Sequence, residues 1–327
     1  MQKNYKKLIL ISFLIFSLSS IFASGRRQTK LFSLDSSLGF RNIVLKEYVY
    51  ASDHTTSRLD WQAPFVPVVS VGGRFNIYNA IIDLSVLSAI PVKIGKMEDW
   101  DWLTSSDYSR ATRYSFHDLI TSKHFDAEAK IGYDFNLLDF GVPFDLSIIP
   151  QVGFLYRNQK YEAQDGYTQY ASDGSFWDSS LDKTYIRGIA LTYEQMDLMP
   201  FVHLEANFKL VGESNSLKMF SGFRGKVFAR FYPYIYASAM DNHYMRSSRV
   251  SYTGYQFNDY MKEGRGFLVG TELSWKSFCV SFCYEWFSAS KGKSTGRVIG
   301  YDSTLESFST IPGTDSSIFQ AAFTYRF

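Results

Sequence analysis

The sequence predicts an all-β protein: a ten-stranded antiparallel transmembrane β-barrel with long extracellular loops and short periplasmic turns. Three observations carry that prediction. The chain opens on an export signal, it alternates between apolar and charged residues with period two from end to end, and it finishes on an alternating strand whose last residue is Phe327.

The export signal comes first. Lys3, Lys6 and Lys7 precede an apolar run from Leu8 to Phe22, which is followed by the small residues Ala23, Ser24 and Gly25. This is the pattern of a secretory signal peptide over residues 1–25. The run is about 15 residues, short of the ~20 that a helix needs to span a bilayer, so it is read as a removed leader and not as an anchor. Residues 26–327 then form one domain. Hydrophobic residues make up 46% of the sequence, yet no apolar stretch after the leader is long enough for a membrane helix. Aromatic residues make up 18%, which suits a barrel with aromatic girdles at both interfaces. The formal charge of +2 comes without a basic block, which argues against nucleic acid as a partner. Cys279 and Cys283 lie four apart in a strand-like run, ~13 Å along the chain. That is too far for a disulfide, so they are read as small residues on an inward face.

The strands follow in order. Phe125, Ala127, Ala129, Ile131 and Tyr133 interleave with His124, Asp126, Glu128, Lys130 and Asp134. Val202, Leu204, Ala206, Phe208 and Leu210 do the same with His203, Glu205, Asn207 and Lys209, and Met219, Phe223, Val227, Ala229 and Phe231 with Lys218, Arg224, Lys226 and Arg230. One greasy and one charged face, repeated over strands of about ten residues, is the pattern of a barrel in lipid with a polar lumen. Phe319, Ala321, Phe323, Tyr325 and Phe327 supply the closing strand.

Connections alternate between tight and long. Tight turns are predicted at Phe75 to Asn79, Leu137 to Pro143, Gly212 to Ser216 and Lys276-Ser277. Long loops are predicted at Asp99 to Ser122, Asn158 to Lys183, Ala239 to Gly264 and Ser288 to Gly313, with a shorter one near Ser52 to Ser57. Ten strands result, an even number with both termini on the short-turn side.

Two acidic stretches reach the long-loop rim. In Met97-Glu98-Asp99-Trp100-Asp101-Trp102 the two aspartates are spaced i, i+2, so in extended chain they share a face; Asp241 and His243 share one in Asp241-Asn242-His243. If the barrel turns the two pairs toward each other, a water between them can be activated for hydrolysis. Each string alone also reads as a solvated rim loop, and Trp100 and Trp102 read as rim aromatics at the membrane interface.

The chain resembles the omptin family of outer-membrane endopeptidases across most of residues 26–327. Ser37-Leu38-Gly39, Lys46-Glu47-Tyr48-Val49-Tyr50, Ser57-Arg58-Leu59-Asp60-Trp61, Asp99-Trp100-Asp101-Trp102 and Asp241-Asn242-His243-Tyr244 are similar to that family's motifs in order and spacing, and Gly188 to Leu204 resembles the corresponding strand. The resemblance implies a ten-stranded barrel in the cell outer membrane, with its active site facing the exterior and acting on proteins or peptides at the cell surface. In it Asp99, Asp101, Asp241 and His243 are catalytic and no metal or cofactor takes part: His243 is the general base, Asp241 orients it, and Asp99 with Asp101 holds the attacking water. Glu47 falls on one acid of the pocket for a basic substrate residue. The second acid of that pocket, two positions before Asp241, is replaced by Ala239, which predicts a reduced or altered preference for basic residues. Of the family's lipopolysaccharide site, Tyr156 and Lys160 are kept, while the remaining basic positions fall on Met196 and Phe257. Dependence on that outer-membrane lipid is therefore in doubt. Two further readings stand beside the peptidase: a catalytically silent barrel acting as adhesin or receptor, and a diffusion pore, which the charged and crowded lumen disfavours.

Overall fold

The computed structural model describes residues 31–51, 54–103, 107–138, 144–210, 222–244, 254–299 and 306–327. The predicted leader and the turn at Gly212 to Ser216 lie outside them, as does most of the turn at Leu137 to Pro143. All the strands belong to one antiparallel sheet that closes on itself.

Among the described residues there are seventeen strand segments, more than the ten uninterrupted strands predicted. They are β1 (Phe32–Tyr50), β2 (Thr55–Ile77), β3 (Ala80–Ala89), β4 (Val92–Asp101), β5 (Arg113–Tyr133), β6 (Phe135–Leu138), β7 (Phe144–Tyr170), β8 (Thr184–Tyr185) and β9 (Ile189–Leu210), continuing as β10 (Phe223–Tyr232), β11 (Tyr236–His243), β12 (Tyr255–Met261), β13 (Glu263–Trp275), β14 (Phe278–Ser290), β15 (Lys293–Val298), β16 (Glu306–Ser307) and β17 (Ile311–Arg326). The excess has a local cause. Pro91, which lacks an N–H, separates β3 from β4, and Pro233 lies between β10 and β11. Lys291, at φ 57°, breaks β14 from β15. Placed end to end, β3 with β4, β5 with β6, β10 with β11, β13 with β12, and β14 with β15 act as single staves. With β1, β2, β7, β9 and β17 they make ten, while β8 and β16 are two-residue additions on the loop side. The seam joins β1 to β17 over sixteen register pairs, from Asp35↔Arg326 to Tyr50↔Ile311.

The tight turns fall at Tyr78-Asn79 and Lys276-Ser277, with Tyr78 and Lys276 at φ near +57° as two-residue hairpins require. The long loops are shorter than predicted, because strands run on past the apolar belt. β5 begins at Arg113, inside the predicted loop ending at Ser122, and β7 continues to Tyr170. The belt itself is marked by outward Phe40, Val69, Val86, Ile131, Val152 and Leu204, all exposed. Above it the ladder hydrogen bonds continue while the outer face mixes charged residues such as Lys96 and Glu98 with aromatics such as Trp100, Tyr114 and Tyr167.

The lumen is bridged by ion pairs. Arg157 on β7 holds Asp126 of the adjacent β5 at 2.9 Å and also pairs with Glu285 of β14 on the far wall. Arg41 of β1 joins Asp126 at 2.8 Å. A cavity of about 210 Å³ remains among these charges. Cys279 and Cys283 are unbonded thiols on the inward face of β14, as the spacing predicts.

Candidate active site

Strand parity places the predicted residues. On β4, Met97 is fully buried in the core, so Asp99 and Asp101 share its inward face. The register that sets them there depends on a bulge between Lys93 and Lys96. Gly95 makes the bulge at φ +98°, and a Cβ on it would lie 1.9 Å from the carbonyl oxygen of Gln62. Asp99 then pairs in register with Leu59 of β2, and Ser57 Oγ donates to Asp99 Oδ1 at 3.4 Å.

On β11 the inward set is Ala237, Ala239, Asp241 and His243. Asp241 and His243 are both buried, and His243 Nε2 donates to Asp241 Oδ2. That bond fixes the proton on Nε2 and leaves the imidazole lone pair on Nδ1. Phe257 of β12 meets the His243 ring edge-on, with centroids 5.4 Å apart and planes at 80°. It therefore does not lie on the outer surface with a lipid site, and the reading of Phe257 as a lost lipid-binding position is corrected.

Glu47 joins the two stretches. It is buried on the inward face of β1, paired in register with Leu59 and, across the seam, with Thr314. Burial pushes its carboxyl well above the usual range, and Asp241, Asp259 and Asp99 each push it further, against a small opposing effect of the Trp61 indole. Asp99 from one predicted pair and Asp241 from the other thus act on the same buried acid. The barrel brings both stretches to one inward-facing site, with Asp101 half-buried at its edge.

Asp259 is the residue that sequence reasoning missed. It lies on the inward face of β12, opposite Ala239 on one side and Ser294 of β15 on the other. Burial holds its carboxyl up at about 7, with Ser294 drawing it down and Asp241 pushing it up. The segment Tyr255–Met261 fell inside a predicted loop, although Phe257, Asp259 and Met261 do alternate there.

Beneath the acids the floor is aromatic. Trp61 stacks between Tyr193 at 5.6 Å and Tyr161 at 6.0 Å, all fully buried. Tyr193 is the register partner of Asp241, and its hydroxyl donates to Gln195 Oε1 at 2.6 Å. Trp100 packs on Tyr114 at 4.4 Å and edge-on to Trp177 at 5.0 Å, under the segment that follows β7. Trp102 has the Arg58 guanidinium over its ring at 6.0 Å. Both tryptophans make their contacts within the long-loop rim, on the face opposite Asp99 and Asp101.

Tyr156 and Lys160 lie on the outer face of β7, half-buried. Tyr156 stands beside Phe125 at 6.3 Å, and Lys160 is opposite Lys123 and Glu194 in register. Lys123, which the sequence reading did not single out, meets Glu194 at 3.4 Å. Among the described residues, no group of three or more His, Cys, Asp or Glu has the arrangement to hold a metal ion.

A family model described as the Omptin family matches residues 28–314. No curated protein sequence matches the chain. Among solved structures, the outer membrane protease OmpT from Escherichia coli superposes with a TM-score of 0.74 at 18% identity, over 94% of this chain and 100% of that one. The transport unit of the autotransporter AIDA-I from Escherichia coli reaches a TM-score of only 0.30 at 8% identity, with 94% of each chain covered. Neisserial surface protein A reaches 0.24 at 8% identity, over 90% of this chain and 97% of that one.

Proposed function

This chain belongs to the Omptin family, and from that premise we propose that it hydrolyses peptide bonds next to basic residues with a water activated between Asp99/Asp101 and Asp241/His243. The chain is an outer-membrane protease with a surface-exposed active site. The hydrogen bond from His243 to Asp241 on the inward face, beside acids drawn from β1 and β4, supports the proposed mechanism.

In the proposed reaction, Asp99 and Asp101 accept hydrogen bonds from the attacking water and His243 Nδ1 takes its proton. The hydroxide oxygen adds to the scissile carbonyl carbon, and the carbonyl π electrons move to its oxygen. Asp241 stabilises the imidazolium so formed without taking its proton. Collapse of the tetrahedral intermediate expels the amine, which receives the proton that His243 carried. Burial of the dyad over the floor of Trp61, Tyr161 and Tyr193 keeps bulk water from below and strengthens the carboxylate–imidazolium attraction. Proton transfer of this kind contributes roughly 10²–10⁴ in rate.

The test is the protein refolded in detergent, with and without lipopolysaccharide, given a mixed peptide library whose cut sites are read by mass spectrometry. Cleavage that persists in chelator and is lost in His243→Ala and Asp99→Ala supports the reading. A folded barrel that cuts nothing with or without the lipid overturns it in favour of an adhesin or receptor.

A further inference from the structure

Two carboxylates in the site have no cation beside them among the described residues. Asp259 Oδ1 and Glu47 Oε2 are buried oxygens without a hydrogen-bond partner, on residues only 5% and 3% exposed. Among the described residues neither carboxylate has an ion-pair partner. Arg58 of β2 is taken up by Asp60 at 3.1 Å. Buried acids without a cation are held in their protonated form, and a cation entering between them favours their ionisation.

The register explains where the second acid comes from. Ala239 faces Asp259 directly across the β11–β12 pair. Opposed residues of an antiparallel pair point to the same face with Cβ atoms ~5 Å apart, about the length of an aspartate side chain. An acid on β12 at this level therefore reaches the space that an acid at position 239 would fill, and alanine at 239 leaves that space open. On the far side Ser294 flanks the Asp259 carboxyl.

We propose that Asp259 is the second acid of the substrate pocket, transposed from β11 to β12, and that it and Glu47 together receive the ammonium or guanidinium group of the substrate residue beside the scissile bond. This rests on the peptidase reading above and reverses one expectation drawn from Ala239: the preference for basic residues is retained. The described residues offer these carboxylates no metal-holding arrangement, whereas two carboxylates from different strands suit the fork of an arginine or the three N–H donors of a lysine.

The experiment compares otherwise identical peptides carrying Arg, Lys, citrulline or norleucine at that position, cleaved by the wild type, Asp259→Asn, Glu47→Gln and the swap Ala239→Asp/Asp259→Ala. Asp259→Asn is expected to lower kcat/KM for the Arg and Lys peptides roughly ten- to hundredfold, as loss of a charge-assisted contact does, with little change for citrulline and norleucine. The swap is expected to restore the Arg preference, which separates a charge requirement from damage to the fold. An Arg-to-citrulline ratio unchanged in Asp259→Asn overturns the proposal. Binding of a fluorescent Arg peptide to His243→Ala, with and without Asp259→Asn, is measured in parallel. If the wild type cuts nothing, the peptidase reading fails, and equal binding by the two variants still refutes the role of Asp259.

Discussion

Replacing Asp259 with asparagine should stabilise the barrel at neutral and alkaline pH and leave it unchanged in acid. The carboxyl is almost fully buried, and its pKa rises from an ordinary 3.8 to about 7. A folded state that binds this proton more tightly than the unfolded chain loses stability as pH rises between those two values. The effect is absent below about pH 4, where both states are protonated, and complete above about pH 7. At 1.36 kcal/mol for each pKa unit, the full effect is on the order of 4 kcal/mol, a ceiling because neighbouring groups relax around the charge. Asparagine keeps the shape, can donate a hydrogen bond to a neighbouring acid, and has no proton to lose. Urea unfolding in detergent micelles, followed by tryptophan fluorescence from pH 4 to pH 9, gives the comparison. The two proteins should coincide at the acid end and diverge progressively, with the variant more stable, through pH 7. Parallel curves across the whole range would refute the claim that this carboxylate is buried and unpaired.

Other outcomes follow from the same geometry. His243→Ala and Asp241→Asn should each lower kcat by roughly 10²–10⁴ with KM little changed, measured on a single peptide substrate with folding checked by circular dichroism. Asp259 and the raised Glu47 must ionise to hold a cation. The ratio of kcat/KM for an Arg peptide to that for its citrulline analogue should therefore climb as pH rises through about 7. Gly95→Ala should cost more than the ~1 kcal/mol of an ordinary backbone substitution, because its Cβ meets the Gln62 carbonyl and φ is positive there. Any shift of β4 displaces Asp99 and Asp101, so residual kcat in the folded variant should fall roughly a hundredfold. Trp100→Ala removes the ring on which Trp177 rests edge-on, and limited proteolysis should then nick the segment after Tyr170 sooner than in the wild type.

The sequence showed the barrel where lipid forces the pattern and lost it where lipid stops. Ile131, Val152 and Leu204 must be apolar because they face hydrocarbon, and their regular spacing marks the strands. Above them, Glu98 on the outer face of β4 accepts a hydrogen bond from Tyr114 at 2.9 Å and an ion pair from Lys96 at 2.8 Å. Backbone pairing continues there with charges such as Lys96 and Glu98 set among outward aromatics, which breaks the regular apolar period that marks a strand in lipid. The same effect hid Asp259. Asp99, Asp101, Asp241 and His243 were legible because their i, i+2 spacing survives without knowledge of the partner strand. An acid whose significance lies in facing Ala239 becomes visible only once the register of two strands is known. The breaks at Pro91 and Pro233 were written in the sequence, but a proline does not reveal whether a strand ends there or resumes in line beyond it.

The seam between β1 and β17 gives the protein a clock. Glu47 stands on the first strand of the barrel, held on one side by Leu59 and on the other by Thr314 of the last. Until β17 is in place, β1 is a free edge, and the acid that links the two halves of the site has no fixed position. The last strand to emerge during synthesis therefore completes the pocket made by the first. The pocket around Glu47 is thus tied to closure of the barrel, because the strand that carries the acid is fixed on both sides only once the seam is made.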